Sequence, residues 1–224
     1  MIKSYFAGIA AAILLAMTGT AYAGPVELVG NGDFETGTLA GWTNVATGSA
    51  NGFAINDGSA DPSGPALPIA PISGVYDAFS SQNGPGLSSL SQMVSLPGIF
   101  SSMIFSWDDR IQNWAGNFSD PNQEFRAGFF TGAGALIGTV FSTNPGDLLI
   151  QIGPNSRSFD VTALLTPFGG QMVELRFEQQ DNLSFFNVTL DNASLIAEVP
   201  EPGVVAIFGF GLLGFGLVRR KKTA

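Results

Sequence analysis

The sequence predicts an all-β fold, an antiparallel sandwich, set between two terminal segments that address the protein rather than fold with it. Three observations lead there. No long stretch of the middle carries a 3.6-residue apolar period. Several stretches alternate apolar and polar residues with period two. Clusters of Gly, Ser, Asn and Pro separate them at intervals of about 8–15 residues, the spacing of short strands in a sandwich.

The clearest strand is Val173-Glu174-Leu175-Arg176-Phe177-Glu178, which alternates without a break. Phe186-Asn187-Val188-Thr189-Leu190-Asp191 does the same. Ser102–Trp107 and Phe125–Phe130 are further strands, and Ala135–Phe141 follows the turn Thr131-Gly132-Ala133-Gly134. Asp160 is placed to cap a single helical turn over Val161–Leu165. Asn44–Pro97, with Pro62, Pro65, Pro68, Pro71 and Pro85 among many Gly and Ser, reads as long loops with short strands around Phe53 and Tyr76.

The first terminal segment has the form of a signal peptide. Lys3 supplies the positive start and Ala7–Met17 an apolar run. Ala21-Tyr22-Ala23 presents small residues where signal peptidase reads them. Cleavage after Ala23 leaves residues 24–198 as the exported domain, about one ordinary domain in length.

Composition narrows the chemistry. The chain has no Cys and no His. That removes Ser-His-Asp and Cys-His catalysis, the usual zinc sites and disulfide staples. Five of the nine basic residues lie in the terminal segments. The exported domain keeps four arginines against seventeen acids, a net charge near −13. Such a domain repels phosphate backbones, so nucleic acid is not its partner, whereas it attracts cations such as calcium.

The other terminal segment, residues 199–224, is Val199-Pro200-Glu201-Pro202, then an uncharged run over 203–218, then Arg219-Arg220-Lys221-Lys222. Sixteen helical residues span about 24 Å. That is short of a hydrocarbon core of about 30 Å, but enough with snorkelling basic ends. The basic cluster orients it as a single transmembrane helix with the domain outside. This arrangement resembles the PEP-CTERM sorting signal. The resemblance implies a Gram-negative bacterium that makes exopolysaccharide, and recognition of Pro200, Glu201, Pro202, Arg219 and Arg220 by an exosortase. It further implies that the inner-membrane anchor is transient, being removed as the protein moves to the cell surface or extracellular matrix.

A second resemblance joins the edges of the domain. Asn31-Gly32-Asp33-Phe34-Glu35 is followed by Gly41-Trp42, and Leu190-Asp191-Asn192-Ala193-Ser194-Leu195 stands near the far end. The pair is similar to the galactose-binding-like jelly roll of several carbohydrate-binding module families. It implies that Phe34 packs inward, that Trp42 caps the core, and that the first and last strands lie together. In related modules this corner often holds a structural calcium. Glu35 and Asp191 match the acidic positions, and Asn31 and Asp33 are further candidates. The alternative is that these groups cap turns or accept backbone N–H groups.

Candidate ligand residues lie on one loop. Trp114, flanked by polar residues, offers an aromatic face for a sugar, with Asn113, Asn117 and Asp120 for its hydroxyls. Trp42 and Trp107 read as core. Asp108 and Asp109 are adjacent on an extended chain and point to opposite sides, so they do not form a glycosidase pair. Asp120 and Glu124 are linked only by nearness in sequence. Three functions fit: a non-enzymatic surface protein that binds exopolysaccharide, a purely structural matrix or adhesive protein, and a carboxylate-dependent extracellular glycoside hydrolase.

Overall fold

Eleven strands build the fold in the computed structural model, which describes residues 24–64 and 68–200. Ala21, Ala23, Glu201, Pro202, Arg219, Arg220 and the membrane helix read at 203–218 lie outside them. Among the described residues no helix is long and apolar enough to cross a membrane.

The strands are β1 (Gly24–Glu27), β2 (Thr43–Gly48), β3 (Phe53–Asn56), β4 (Asp77–Asn83), β5 (Gly86–Ser95) and β6 (Ser102–Asn113). After these come β7 (Glu124–Thr131), β8 (Leu136–Ser142), β9 (Ile150–Asp160), β10 (Met172–Asp181) and β11 (Phe185–Val199). One sheet runs β3-β4-β11-β6-β9, with β1 also on β11. The other runs β2-β5-β10-β7-β8. Together they form an antiparallel sandwich.

The period-two pattern sets which residues meet between the sheets. Val173, Leu175 and Phe177 of β10 face Phe105 and Trp107 of β6 in the interior, and all five are buried. Phe177 sits at the centre, its ring 5.5 Å from Trp107, 5.7 Å from Phe105, and 6.2 Å from both Trp42 and Phe125. Trp107 and Trp42 are core, and Phe34, fully buried, packs 5.7 Å from Trp42.

The two edge motifs meet. The Leu28 N–H donates to Leu195, and Ala193 N–H donates to the Gly32 carbonyl. The β11–β6 register shifts between Asp191 and Ser194, where Asn192 takes φ 52°. This bulge turns the Ala193 carbonyl toward Gly32, where an added Cβ would stand 1.8 Å from its oxygen. Glycine at 32 is therefore a requirement of close approach.

Two local expectations change. Asn44–Pro97 contains the four strands β2–β5 rather than mainly loop. Ser88 and Gln92 occupy inward positions of β5. They are satisfied there by Gly52 N–H on Ser88 and by Gln92 exchanging bonds with Gly30. Polar residues facing inward conceal the alternation that marks a strand. The short helix α1 spans Thr162–Leu165 with Val161 as its cap residue. Asp160 precedes the cap, yet its carboxylate still accepts the Thr162 N–H at 2.9 Å.

Candidate ligand-binding cleft

On the solvent face of the five-stranded sheet, β7 and β10 present their polar alternates. Register places Arg126 opposite Glu178 and Arg176 opposite Gly128. The side chains join in one chain of ion pairs. Glu124 accepts from Arg126 at 2.6 Å, and Glu178 accepts from Arg126 at 2.5 Å and from Arg176 at 3.2 Å. Glu174 receives both Nε and an end nitrogen of Arg176, at 3.1 and 2.7 Å. The Arg176 guanidinium lies 3.8 Å from the centre of the Phe130 ring. Gly128 carries no side chain to obstruct this, and a Cβ there would stand 2.7 Å from the Gly138 carbonyl oxygen.

All of these side chains but Glu174 line a cleft of about 460 Å³, together with Asp120 and, from β8, Leu136 and Thr139. Its electrostatics are fixed by partial burial. Glu124 is only 2% exposed. Burial pushes its carboxyl above the usual range, the Arg126 bond opposes this, and the neighbouring Asp120 carboxylate pushes it up further. Burial also opposes the charge on Arg126, but Glu124 and Glu178 outweigh it and hold its pKa above the ordinary value. The Glu124 Oε2 atom is buried and has no hydrogen-bond partner. The cleft therefore offers a guanidinium-covered aromatic ring, fixed carboxylates and one buried acceptor without a partner. Such a surface is suited to binding a polar ligand with a flat apolar face.

Of the four loop residues named from sequence, Asp120 alone lines this cleft. Asn113 is buried and committed within its loop, donating to the Asn117 carbonyl and accepting from Ala115 and Gln123. Trp114 is half-buried, its backbone N–H on Phe185. Asn117 is exposed and accepts the Gly146 N–H. Sequence reasoning had Arg126, Phe130, Arg176 and Glu178 within its predicted strands. It lacked the register that brings β7 and β10 together.

At the corner named for calcium, the carboxylates hold backbone. One oxygen of Glu35 accepts the N–H groups of Val75 and Tyr76, at 2.8 and 3.1 Å. Asp191 is fully buried; one oxygen accepts the Ser73 N–H and hydroxyl, the other the Asn192 N–H. The Asn31 side-chain oxygen receives the Thr36 hydroxyl, and Asp33 accepts the Glu35 N–H. Calcium asks for six to eight converging oxygens. Here the oxygens are turned to separate donors, and among the described residues no three acidic side chains gather as a metal site. The arrangement is that of carboxylates accepting backbone N–H groups. It fits anchorage of the 72–76 loop, to which Arg110 adds a bond of 2.6 Å on the Ala70 carbonyl.

Asp108 and Asp109 do point apart. Asp109 is buried, held by Trp107 Nε1 and by Arg157 at 2.9 Å, whereas Asp108 bonds Ser156 and Asn192 at the surface.

The sandwich is similar to several solved structures. TmCBM61, solved in complex with β-1,4-galactotriose, is 13% identical at a TM-score of 0.47, over 76% of this chain and 97% of that one. Carbohydrate-binding modules of the β-sandwich superfamily, described as promiscuous in specificity, are 15% identical at 0.45, over 80% and 63%. The Stig cyclase Fisc from Fischerella sp. TAU is 18% identical at 0.48, over 79% and 100%. No curated protein sequence matches the chain. Residues 198–221 match the PEP-CTERM protein-sorting motif, and by that motif the chain is an exported protein addressed to the cell surface through an exosortase-dependent pathway.

Proposed function

We propose that the exported sandwich is a non-enzymatic domain that binds exopolysaccharide in the cleft between β7, β8 and β10. The observation that carries this reading is the Phe130 ring under Arg176, flanked by fixed carboxylates in a cleft of about 460 Å³. A sugar has an apolar face for the Phe130–Arg176 wall and a rim of hydroxyls for Glu178, Asp120 and Thr139. In this reading the signal peptide and membrane helix are removed, and the domain stays with the surface polymer.

Binding of the purified protein to a panel of bacterial exopolysaccharides tests it. Phe130→Ala is expected to weaken binding about tenfold or more, since a stacked aromatic contact with its burial contributes on the order of 1–3 kcal/mol. Trp114→Ala is expected to leave it unchanged. The reverse pattern moves the site to the Trp114 loop, and no binding to any polymer leaves the structural matrix role. Asp120 and Glu124 share the cleft, which favours hydrolysis as a second reading. Release of reducing ends from a bound polymer, lost in Glu124→Gln, would establish it.

A further inference from the structure

The cleft holds more carboxylates than cations. Asp120, Glu124 and Glu178 line it with Arg126 and Arg176, and Glu174 neutralises Arg176 from outside. Each guanidinium is already committed to two carboxylates: Arg126 to Glu124 and Glu178, Arg176 to Glu174 and Glu178. An incoming uronate or sulfate meets net negative charge and displaces an ion pair wherever it engages an arginine.

Glu124 stands apart from the other carboxylates. It is 2% exposed, one oxygen is bound by Arg126, and Oε2 has no partner. The neighbouring Asp120 carboxylate has no proton to offer it when ionised. A buried acceptor without a donor is costly. Native structures retain few of them, and one that lines a cleft calls for a donor from the ligand.

We infer that the saccharide taken by this cleft carries a free ammonium group, as an amino sugar without its N-acetyl group does, donating to Glu124 Oε2 and to Asp120. This rests on the saccharide reading above. An ammonium has three donors and no lone pair, so it satisfies two facing carboxylates at once. A sugar hydroxyl has one proton and turns its lone pairs on the second carboxylate. An N-acetylated amine has one donor and an acetyl group in place of the charge.

The test is calorimetric titration of the purified full-length protein near neutral pH, where the amine keeps much of its charge and the raised Glu124 carboxyl is less protonated than in acid. The probes are oligomers of glucosamine, N-acetylglucosamine, neutral glucose and galacturonate. The glucosamine oligomer is expected to bind about tenfold or more tightly than the other three, the effect of one charge-assisted hydrogen bond. Glu124→Gln and the exposed Asp120→Asn are each expected to reduce that preference several-fold, with folding checked by thermal melting. Equal binding of the free and acetylated oligomers overturns the inference and leaves the saccharide reading standing. So does preference for galacturonate, or a glucosamine preference undiminished in both variants. Absence of binding by all four overturns the inference, and the polymer panel above then decides the saccharide reading.

Discussion

Gly32 shows how much one hydrogen atom in place of a methyl group decides. A Cβ there would lie 1.8 Å from the Ala193 carbonyl oxygen, a backbone atom of the bulged last strand. Gly32→Ala is expected to destabilise the fold by about 1–3 kcal/mol, as overpacked sites do, measured by urea denaturation. The loop anchors make a second residue-scale prediction. Because Glu35 and Asp191 already hold backbone N–H groups, melting temperatures in calcium and in chelator should agree; a rise of several degrees in calcium would restore the metal. A third concerns Asp77, which is fully buried. Burial raises its pKa from 3.8 to about 6, against its bonds from Asn56 and Ile72, with Asp191 adding to the rise. Asp191, Asp181 and Glu124 are also raised, each first by burial. A folded pKa above the unfolded one means the native state holds the proton more tightly. The Asp77 contribution to stability is thus complete below pH 3.8 and lost as pH rises through about 6. Melting temperature should fall between mildly acidic and neutral pH, and Asp77→Asn should flatten part of that slope. The edge motifs around Gly32 were readable because glycine and paired polar residues at fixed spacing carry their own geometry. The cause of the Asp77 shift was not, since burial depends on a loop that no local pattern closes.

At the scale of elements, legibility followed the inward positions. β10 and β7 were readable because Val173, Leu175 and Phe177, and Phe125, Ala127 and Phe129, alternate with charged or small partners. β5 was not, because serine and glutamine share its inward face with Leu90 and Val94. β9 was missed for another reason. It is an edge strand, so exposed Ile150 and Ile152 face solvent. Its Gly153-Pro154 lies where pairing with β6 shifts register between Asp109 and Ile111, a place where an edge strand accommodates proline. Interior aromatic packing from β10 ties the two sheets together. Phe177→Ala should cost about 3–5 kcal/mol in equilibrium unfolding. A loss below about 1 kcal/mol would mean that the four rings around it close the space.

For the whole molecule, the sequence made the sorting address plainer than the binding face. Pro200-Glu201-Pro202, an uncharged run and a basic end are contiguous, so they can be read along the chain. The cleft draws Asp120, Glu124, Arg126, Phe130, Arg176 and Glu178 from two strands and a loop, joined only by register. The mature protein isolated from its host is expected to begin at Gly24, to lack the 203–224 tail, and to occur in the surface fraction. An intact tail in the inner membrane would mean a permanently anchored domain.

The last strand has a mechanical meaning. β11 leads straight into Pro200 and the sorting signal, and it lies inside its sheet with β4 on one side and β6 on the other. A tether attached beyond Val199 would therefore tug on an interior strand of its sheet. Tension along that strand loads two antiparallel ladders in shear, so many hydrogen bonds resist together instead of parting one at a time from a free edge. Drag from flow or from a stretched polymer would meet a strand paired on both sides rather than a free edge.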